Sequence, residues 1–455
     1  RLDRVPPESR ALLRLAAVAG REIDIRLLSH IIMRGDAPTV PVGNLDAWLV
    51  MCAEASVLEV RDNVWRFTHD KLREYIIGHL SNDEFRKFHR LIAESLTELY
   101  GDSPHYFARL AYHWRKARDY HKEREYAILA GEYAFQHGNA RQAIYYLARA
   151  LQLDAELTTD NAIHTHLLLN LGLSYIQTGD LSRAQGILNR VLQEYRTADD
   201  TYGQGKTLLG LGRLYHAFGE YKVALHYLSE CLDIMMGLGK KADIAHALVE
   251  IGQIQIALDR YESAVRTLLE ARSIFQELNN QHGMALALQE IAHVMLEQGA
   301  LGEARAYFHE AQTFLLQADD YRGVVASDLS LSEIALQDED AQTALYHIMK
   351  ALRQALNIGA IPLLLQGIGL YAQWLFQQGD GEQAAELVGM VWHHATTDGD
   401  LRTEFAPFIK RLKANLNPTA YMAAFSRGEF RNPQMVARNI LSHNNLDTRI
   451  ENHHS

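Results

Sequence analysis

The nearest approach to reactive chemistry in this sequence is Gly203-Gln204-Gly205-Lys206-Thr207. A phosphate loop of the form G-x-x-x-x-G-K-[ST] wraps backbone N–H groups around a phosphate and aims its lysine at the terminal phosphates. The first glycine of that pattern falls at position 200, where Asp200 stands, and helical periodicity rather than a strand precedes it. The segment therefore reads as an ordinary turn between helices. His393-His394 and His453-His454 are adjacent pairs, and neighbours in a helix point to different sides, so neither pair converges on one metal. His164 and His166 fail likewise, and no Cys/His set has zinc spacing. No Ser-His-Asp or Cys-His set has recognisable local context. No catalytic residue and no metal ligand is assigned, and the chain is expected not to be an enzyme.

Composition agrees with a folded, helix-rich protein. Hydrophobic residues make up 48% and charged residues 22%, which suits a folded chain, and only 9 prolines interrupt a sequence rich in Ala and Leu. A net charge of −11 argues against gripping phosphate backbones as the main task. No run approaches the ~18 apolar residues of a membrane span, and no basic segment followed by an apolar one opens the chain. Cys52 and Cys231 lie among apolar helical neighbours and are expected to be buried free thiols of a cytoplasmic protein. Arg1 leads towards a helix without a methionine, so the chain is expected to be a piece of a larger protein.

The elements that hold these residues repeat. Ala143, Ala184, Ala224, Ala264, Ala304, Ala344 and Ala384 lie 41, 40, 40, 40, 40 and 40 residues apart. A small residue recurs at Gly131, Gly172, Gly212, Gly252, Ala292, Ser332 and Ala372, and seven residues later a turn position reads Gly138, Gly179, Gly219, Asp259, Gly299, Glu339 and Gly379. Nine residues past each turn stands a large residue (Leu147, Leu188, Leu228, Leu268, Phe308, Ile348, Val388), and three further on a compact one such as Ala150, Val191 or Cys231. Helix pairs of ~16 residues cannot bury their apolar stripes alone, and stacking copies does it. Small residues belong where helices approach closely, and the turn glycine supplies the left-handed conformation that ends a helix. Leu171, Gly172, Tyr175, Gly179, Ala184, Leu188 and Val191 follow the order of the tetratricopeptide repeat, which residues 120–395 resemble. The 40-residue period is similar to that of the longer-helix repeats in regulatory ATPases of the maltose-regulon-activator type. Gln255 and Ala335 replace the tyrosine, and Asp259 and Glu339 the glycine, so those two joints are expected to be the weakest. The expected fold is all-α: a right-handed α-solenoid of about seven such hairpins preceded by a small winged-helix domain.

Residues 1–80 supply that domain. A helix over 6–20 and another over 44–58 precede alternation around Arg61-Asp62-Asn63, which predicts a hairpin near 57–68 and places the chain's β-structure there. A helical arm covers 81–119, and a last helix pair followed by a polar disordered end covers 396–455. "RFTHDKLREYI" (66–76) and "LAYHWRKARD" (110–119), in this order before repeats, resemble the C-terminal half of STAND-type regulatory ATPases. The resemblance implies an upstream nucleotide-binding domain, with ATP or ADP bound in the parent protein and no cofactor in this chain. It also implies that His69 meets the nucleotide's phosphate; packing or capping at the helix start beside Asp70 is the alternative.

In tetratricopeptide solenoids the first helix of each pair lines a concave groove. The matching rows give Lys206, Arg213 and His216, then His246 and Gln253, then His293, with Glu333 and Gln373 beyond, beside apolar Leu169, Leu173, Ile176, Leu209 and Val249. A groove basic in its middle and otherwise mixed suits a protein or peptide ligand. The paired asparagines of the family's carboxylate clamp are absent. The resulting expectation is the sensor or effector arm of a signal-transduction ATPase, relaying partner binding through the winged helix. A stand-alone adaptor, or a DNA-binding regulator using the winged helix, is the alternative. Residues 1–80 hold no dense cationic cluster on one helix, so nucleic acid is not the expected partner.

Overall fold

The computed structural model describes residues 2–35, 45–61, 63–157, 161–394 and 399–443. Asp62, His453, His454 and the end expected to be disordered lie outside the described residues. The chain forms two compact units, divided between Glu220 and Tyr221.

The first unit opens with α1 (Arg10–Ala19), α2 (Ile25–Met33) and α3 (Leu45–Glu54). A hairpin follows, β1 (Leu58–Arg61) and β2 (Val64–Phe67), with Leu58 opposite Phe67. Asn63 turns it with a φ of 61°. Residues 21–23 lie along β2: Ile23 donates its N–H to Trp65 O at 2.7 Å, and Phe67 donates to Arg21 O at 3.0 Å. Among the described residues these strands and one bridge, Glu22 to Arg66, are the β-structure. Helix α4 (Asp70–Gly78) leads to α5 (Asn82–Tyr100), which begins with a Ser81–Glu84 capping box, and to α6 (Pro104–Ala117). Trp48, Phe67, Leu12, Leu27 and Ile92 are fully buried in one core that ties these helices to the hairpin.

Repeated hairpins follow: α7 (Tyr120–Gln136) with α8 (Ala140–Leu157), α9 (Asn161–Gln177) with α10 (Leu181–Thr197), then α11 (Thr201–Ala217). The second unit continues with α12 (Tyr221–Gly237), α13 (Lys241–Ala257) with α14 (Tyr261–Glu277), and α15 (Gln281–Glu297) with α16 (Leu301–Gln317). Next come α17 (Tyr321–Gln337) with α18 (Ala341–Asn357) and α19 (Ile361–Gln377) with α20 (Gly381–His393). The packing columns are as the repeat requires. Leu147, Leu188, Leu228, Leu268, Phe308, Ile348 and Val388 have no solvent exposure, and each such burial contributes ~1.5–3 kcal/mol. A Cβ on Gly172 would come within 2.9 Å of Leu188, and one on Gly252 within 2.7 Å of Leu268, so the small column makes room for the large one. First helices of successive hairpins also touch, α7 with α9 and α9 with α11 in one unit, α13 with α15 and α17 with α19 in the other.

A second set of columns joins one hairpin to the next. Asp199, Gly239, Asn279, Asp319 and Gly359 all have positive φ, 40 residues apart, and Arg118 starts the series at 61°. Asp259 (57°) and Glu339 (58°) adopt the left-handed geometry of the glycines they replace, so the turn survives both substitutions. The residue after these turns caps a helix: Asp180, Asp200, Asn280, Asp320, Asp340 and Asp380 each accept an N–H bond from three residues on. Gly203–Thr207, expected as a turn, instead form the first turns of α11, because Asp200 is its N-cap. The tail holds three helices rather than a pair: α21 (Gly399–Asn415), α22 (Pro418–Gly428) and α23 (Pro433–His443). Pro418 and Pro433 each begin a helix, the position where a missing N–H does least harm.

Candidate functional site

The residues assigned to the groove separate between the units. Lys206, Arg213 and His216 stand half-buried on α11 in the first unit, each in contact with the rest of the fold. Lys206 and Arg213 are seven residues apart, two turns of one helix face. In the second unit the half-buried His246 sets its ring edge-on against Phe275, centroids 5.0 Å apart. Gln253 donates from Nε2 to Glu290 Oε1 at 2.8 Å. His293 is exposed and meets Phe308 edge-on at 5.2 Å.

In the second unit these rows hold one carboxylate, Glu333 on α17. Burial pushes the Glu333 carboxyl above its ordinary range, opposed by His293 and reinforced by Glu297. Glu290 lies on the same helix as His293, one turn earlier. Of these rows the lysine and the arginine, Lys206 and Arg213, stand on α11, and the carboxylate, Glu333, stands on α17. The sequence reading named Glu333 but passed over Glu290 and Glu297 on α15, the second of which acts on Glu333. Their signal was present: they lie three residues before and four after His293, on one helix face.

His69 occupies the N-cap position of α4, and its side chain makes no capping bond. It is exposed, on the wall of an open cleft of about 620 Å³ shared with Arg21, Thr68 and Lys71. Arg21 pairs with Asp70 at 3.1 Å. Asp70 lines the same wall and offsets Arg21, which leaves Lys71 and the first amides of α4 as its positive features.

One cluster had no place in the sequence reading. The positions Leu168, Leu208, Leu248, Leu288, Asp328 and Ile368 form a single buried column, and Asp328 is the lone carboxylate in it. Its Oδ1 accepts from His347 Nδ1 at 2.9 Å and from Lys350 Nζ at 3.1 Å, while Oδ2 has no partner. His309 sits 6.0 Å from the His347 ring, and burial and His347 lower its pKa.

Hairpins in a 40-residue register define a class, the helical-repeat proteins. Residues 164–236 match the tetratricopeptide repeat family model. No curated protein matches the sequence. Among solved structures, the chain is similar to a Rap protein complexed with competence and sporulation factor, with a TM-score of 0.53 and 12% identity, covering 80% of this chain and 94% of that one. It is also similar to a signal transduction ATPase with numerous domains, with a tetratricopeptide repeat sensor, from Pyrococcus horikoshii, at 16% identity and a TM-score of 0.45. That match covers 90% of this chain, which spans 66% of the ATPase's length. The aspartyl phosphate phosphatase F of Bacillus subtilis matches at 13% identity and a TM-score of 0.47, covering 87% of this chain and 94% of its own.

Proposed function

We propose that this chain is the partner-binding sensor arm of a larger signalling protein, and that the first-helix face of its repeats takes a protein or peptide segment. The observation that carries the reading is that each unit sets half-buried polar side chains among apolar ones at matching repeat positions, Lys206 and Arg213 in the first and His246 and Gln253 in the second. Half-buried polar groups beside apolar surface hold a segment's backbone and charges while its apolar side chains supply most of the energy. In the same reading the wall at His69 meets a phosphate of a nucleotide held by an upstream domain, in a signal-transduction ATPase of the STAND kind. Arg21 and Lys71 stand beside His69 there.

A photo-crosslinking side chain introduced at Gln253 tests the face. A partner captured by the full chain is expected to crosslink from position 253 and not from Tyr346, an exposed residue on the second helix of its hairpin. Crosslinking from 346 alone overturns the assignment.

A further inference from the structure

A small cleft in the first unit lies where α6, α7 and α8 meet, with a volume of about 70 Å³. Its small lining residues are Ala111 and Ala127, both almost fully buried, and Tyr112, Tyr145 and Tyr146 are its aromatic ones. The space is roughly half of that which holds a benzene ring in an engineered apolar cavity, so a short branched aliphatic group fits and an aromatic ring does not.

The polar side of the cleft is asymmetric. Glu123 is buried to 1% exposure, and Arg149 holds it through two bonds, from Nε at 2.6 Å and Nη2 at 2.9 Å. This pair is self-sufficient, as a buried carboxylate requires. Arg115 differs. Its Nε lies 3.8 Å from Glu123 Oε1, beyond hydrogen-bond range, and Nη1 donates to the Tyr145 hydroxyl at 3.0 Å. A guanidinium has five donors, so Arg115 retains donors for another acceptor, and its side chain is 47% exposed. Lys116 lies over the ring of the cleft's Tyr112, 5.7 Å from its centroid. One buried anion faces two arginines, which leaves the rim cationic.

We propose that this cleft binds a carboxylate carrying a short branched aliphatic tail, the tail resting on Ala111 and Ala127 and the carboxylate bonding Arg115. The shared chemistry comes either from a free branched-chain acid or from a peptide with a valine-sized side chain next to an acidic one. The site is independent of the first-helix face and of the His69 cleft.

The test is a titration of the full chain, its tyrosine rings isotopically labelled, with isovalerate, followed by nuclear magnetic resonance. Isovaleramide has the same tail without charge, and acetate the same charge without tail. Saturable shifts at Tyr112, Tyr145 and Tyr146 are expected with isovalerate, at roughly tenfold higher affinity than with either control. Arg115→Gln is expected to remove the preference for isovalerate over isovaleramide, and Tyr145→Ala to weaken all tail-bearing probes. Both residues are at the surface, and unchanged circular dichroism shows that the variants fold. An acetyl-Val-Glu amide that binds tenfold or more tighter than isovalerate identifies a peptide source, and equal or weaker binding a free acid. Equal affinity for isovalerate and isovaleramide, or shifts unchanged in Arg115→Gln, overturns the proposal.

Discussion

Two buried polar clusters depend on their hydrogen-bond partners in different ways. His89 and His113 face each other across 2.9 Å between Nδ1 atoms, so one ring donates, the other accepts, and the accepting ring must be neutral. Burial, followed by Lys116 and Arg73, brings His89 down to about 4, and burial together with His89 and Arg109 holds His113 well below the usual imidazole range. In the unfolded chain each titrates near ~6.5. Between those values the unfolded state binds more protons than the folded one, so stability falls as pH falls from about 6.5 towards 4. For His89 alone the loss reaches about 2 kcal/mol by pH 5. Hydrogen exchange of the α5 and α6 amides at pH 7 and pH 5 measures it, and His89→Leu is expected to shrink the difference; an unchanged difference would rule this out. Asp328 belongs to the other cluster: it is a carboxylate in a column of aliphatic residues, and His347 and Lys350 bond it. Asp328→Leu restores the column and leaves Lys350 in solvent, so it is expected to be neutral or stabilising by ~1 kcal/mol. His347→Leu keeps the buried carboxylate and removes a partner, at a cost of ~2–4 kcal/mol. Urea midpoints that move equally for the two variants would contradict the asymmetry. The Asp328 anomaly was legible in the sequence, because the column that it interrupts is periodic. The histidine pair was not: residues 89 and 113 meet across a turn, and no periodicity links them.

At the scale of elements, the columns inside a hairpin were readable because each needs a residue of fixed size. The joints between hairpins were not, because Arg118, Asp199, Gly239, Asn279 and Asp319 share a backbone angle and not a side chain. The caps one residue on were missed for the same reason: Asp, Asn, Lys and Ala all occur at that position. The hairpin near 57–68 was readable from alternation, yet the third segment beside it, 21–23, is too short to alternate. Close approaches differ in kind too. A Cβ on Gly172 meets the mobile end of Leu188, which can move aside, whereas a Cβ on Gly389 would lie 2.2 Å from the backbone oxygen of Phe425. Gly428 is as confined, 2.1 Å from Glu386 O, so α20 and α22 pack backbone to backbone. Gly172→Ala is therefore expected to change stability by less than ~1 kcal/mol, helped by alanine's helix propensity, and Gly389→Ala to cost ~3 kcal/mol by forcing the helices apart. Chemical denaturation of both variants decides the matter, and equal effects would mean that the helices shift freely.

For the whole molecule, the 40-residue period announced the class, and the tetratricopeptide match at 164–236 falls inside the periodic region. The division into two units was not announced, since the period runs through residue 220 without interruption. The first unit's part of the candidate face carries its cations on α11. A partner segment that reads the first unit's face meets Lys206 and Arg213 in an otherwise acidic protein of net charge −11. Ion pairs at partly exposed positions contribute only about 0–1 kcal/mol each, so these two residues cannot supply the affinity. They act on encounter and orientation, because long-range attraction is what distinguishes two cations from their anionic surroundings. Raising the salt concentration is accordingly expected to slow association more than it hastens release. The double change Lys206→Glu with Arg213→Glu reverses the local charge while leaving Leu209 and Leu173 in place. Surface plasmon resonance with a captured partner is expected to show an association rate at least tenfold lower and a dissociation rate changed by less than about threefold. Circular dichroism confirms that α11 survives, since both side chains also make contacts within the fold. If instead dissociation carries the whole effect, the pair makes close desolvated contacts with the partner; if neither rate changes, α11 is not part of the binding face.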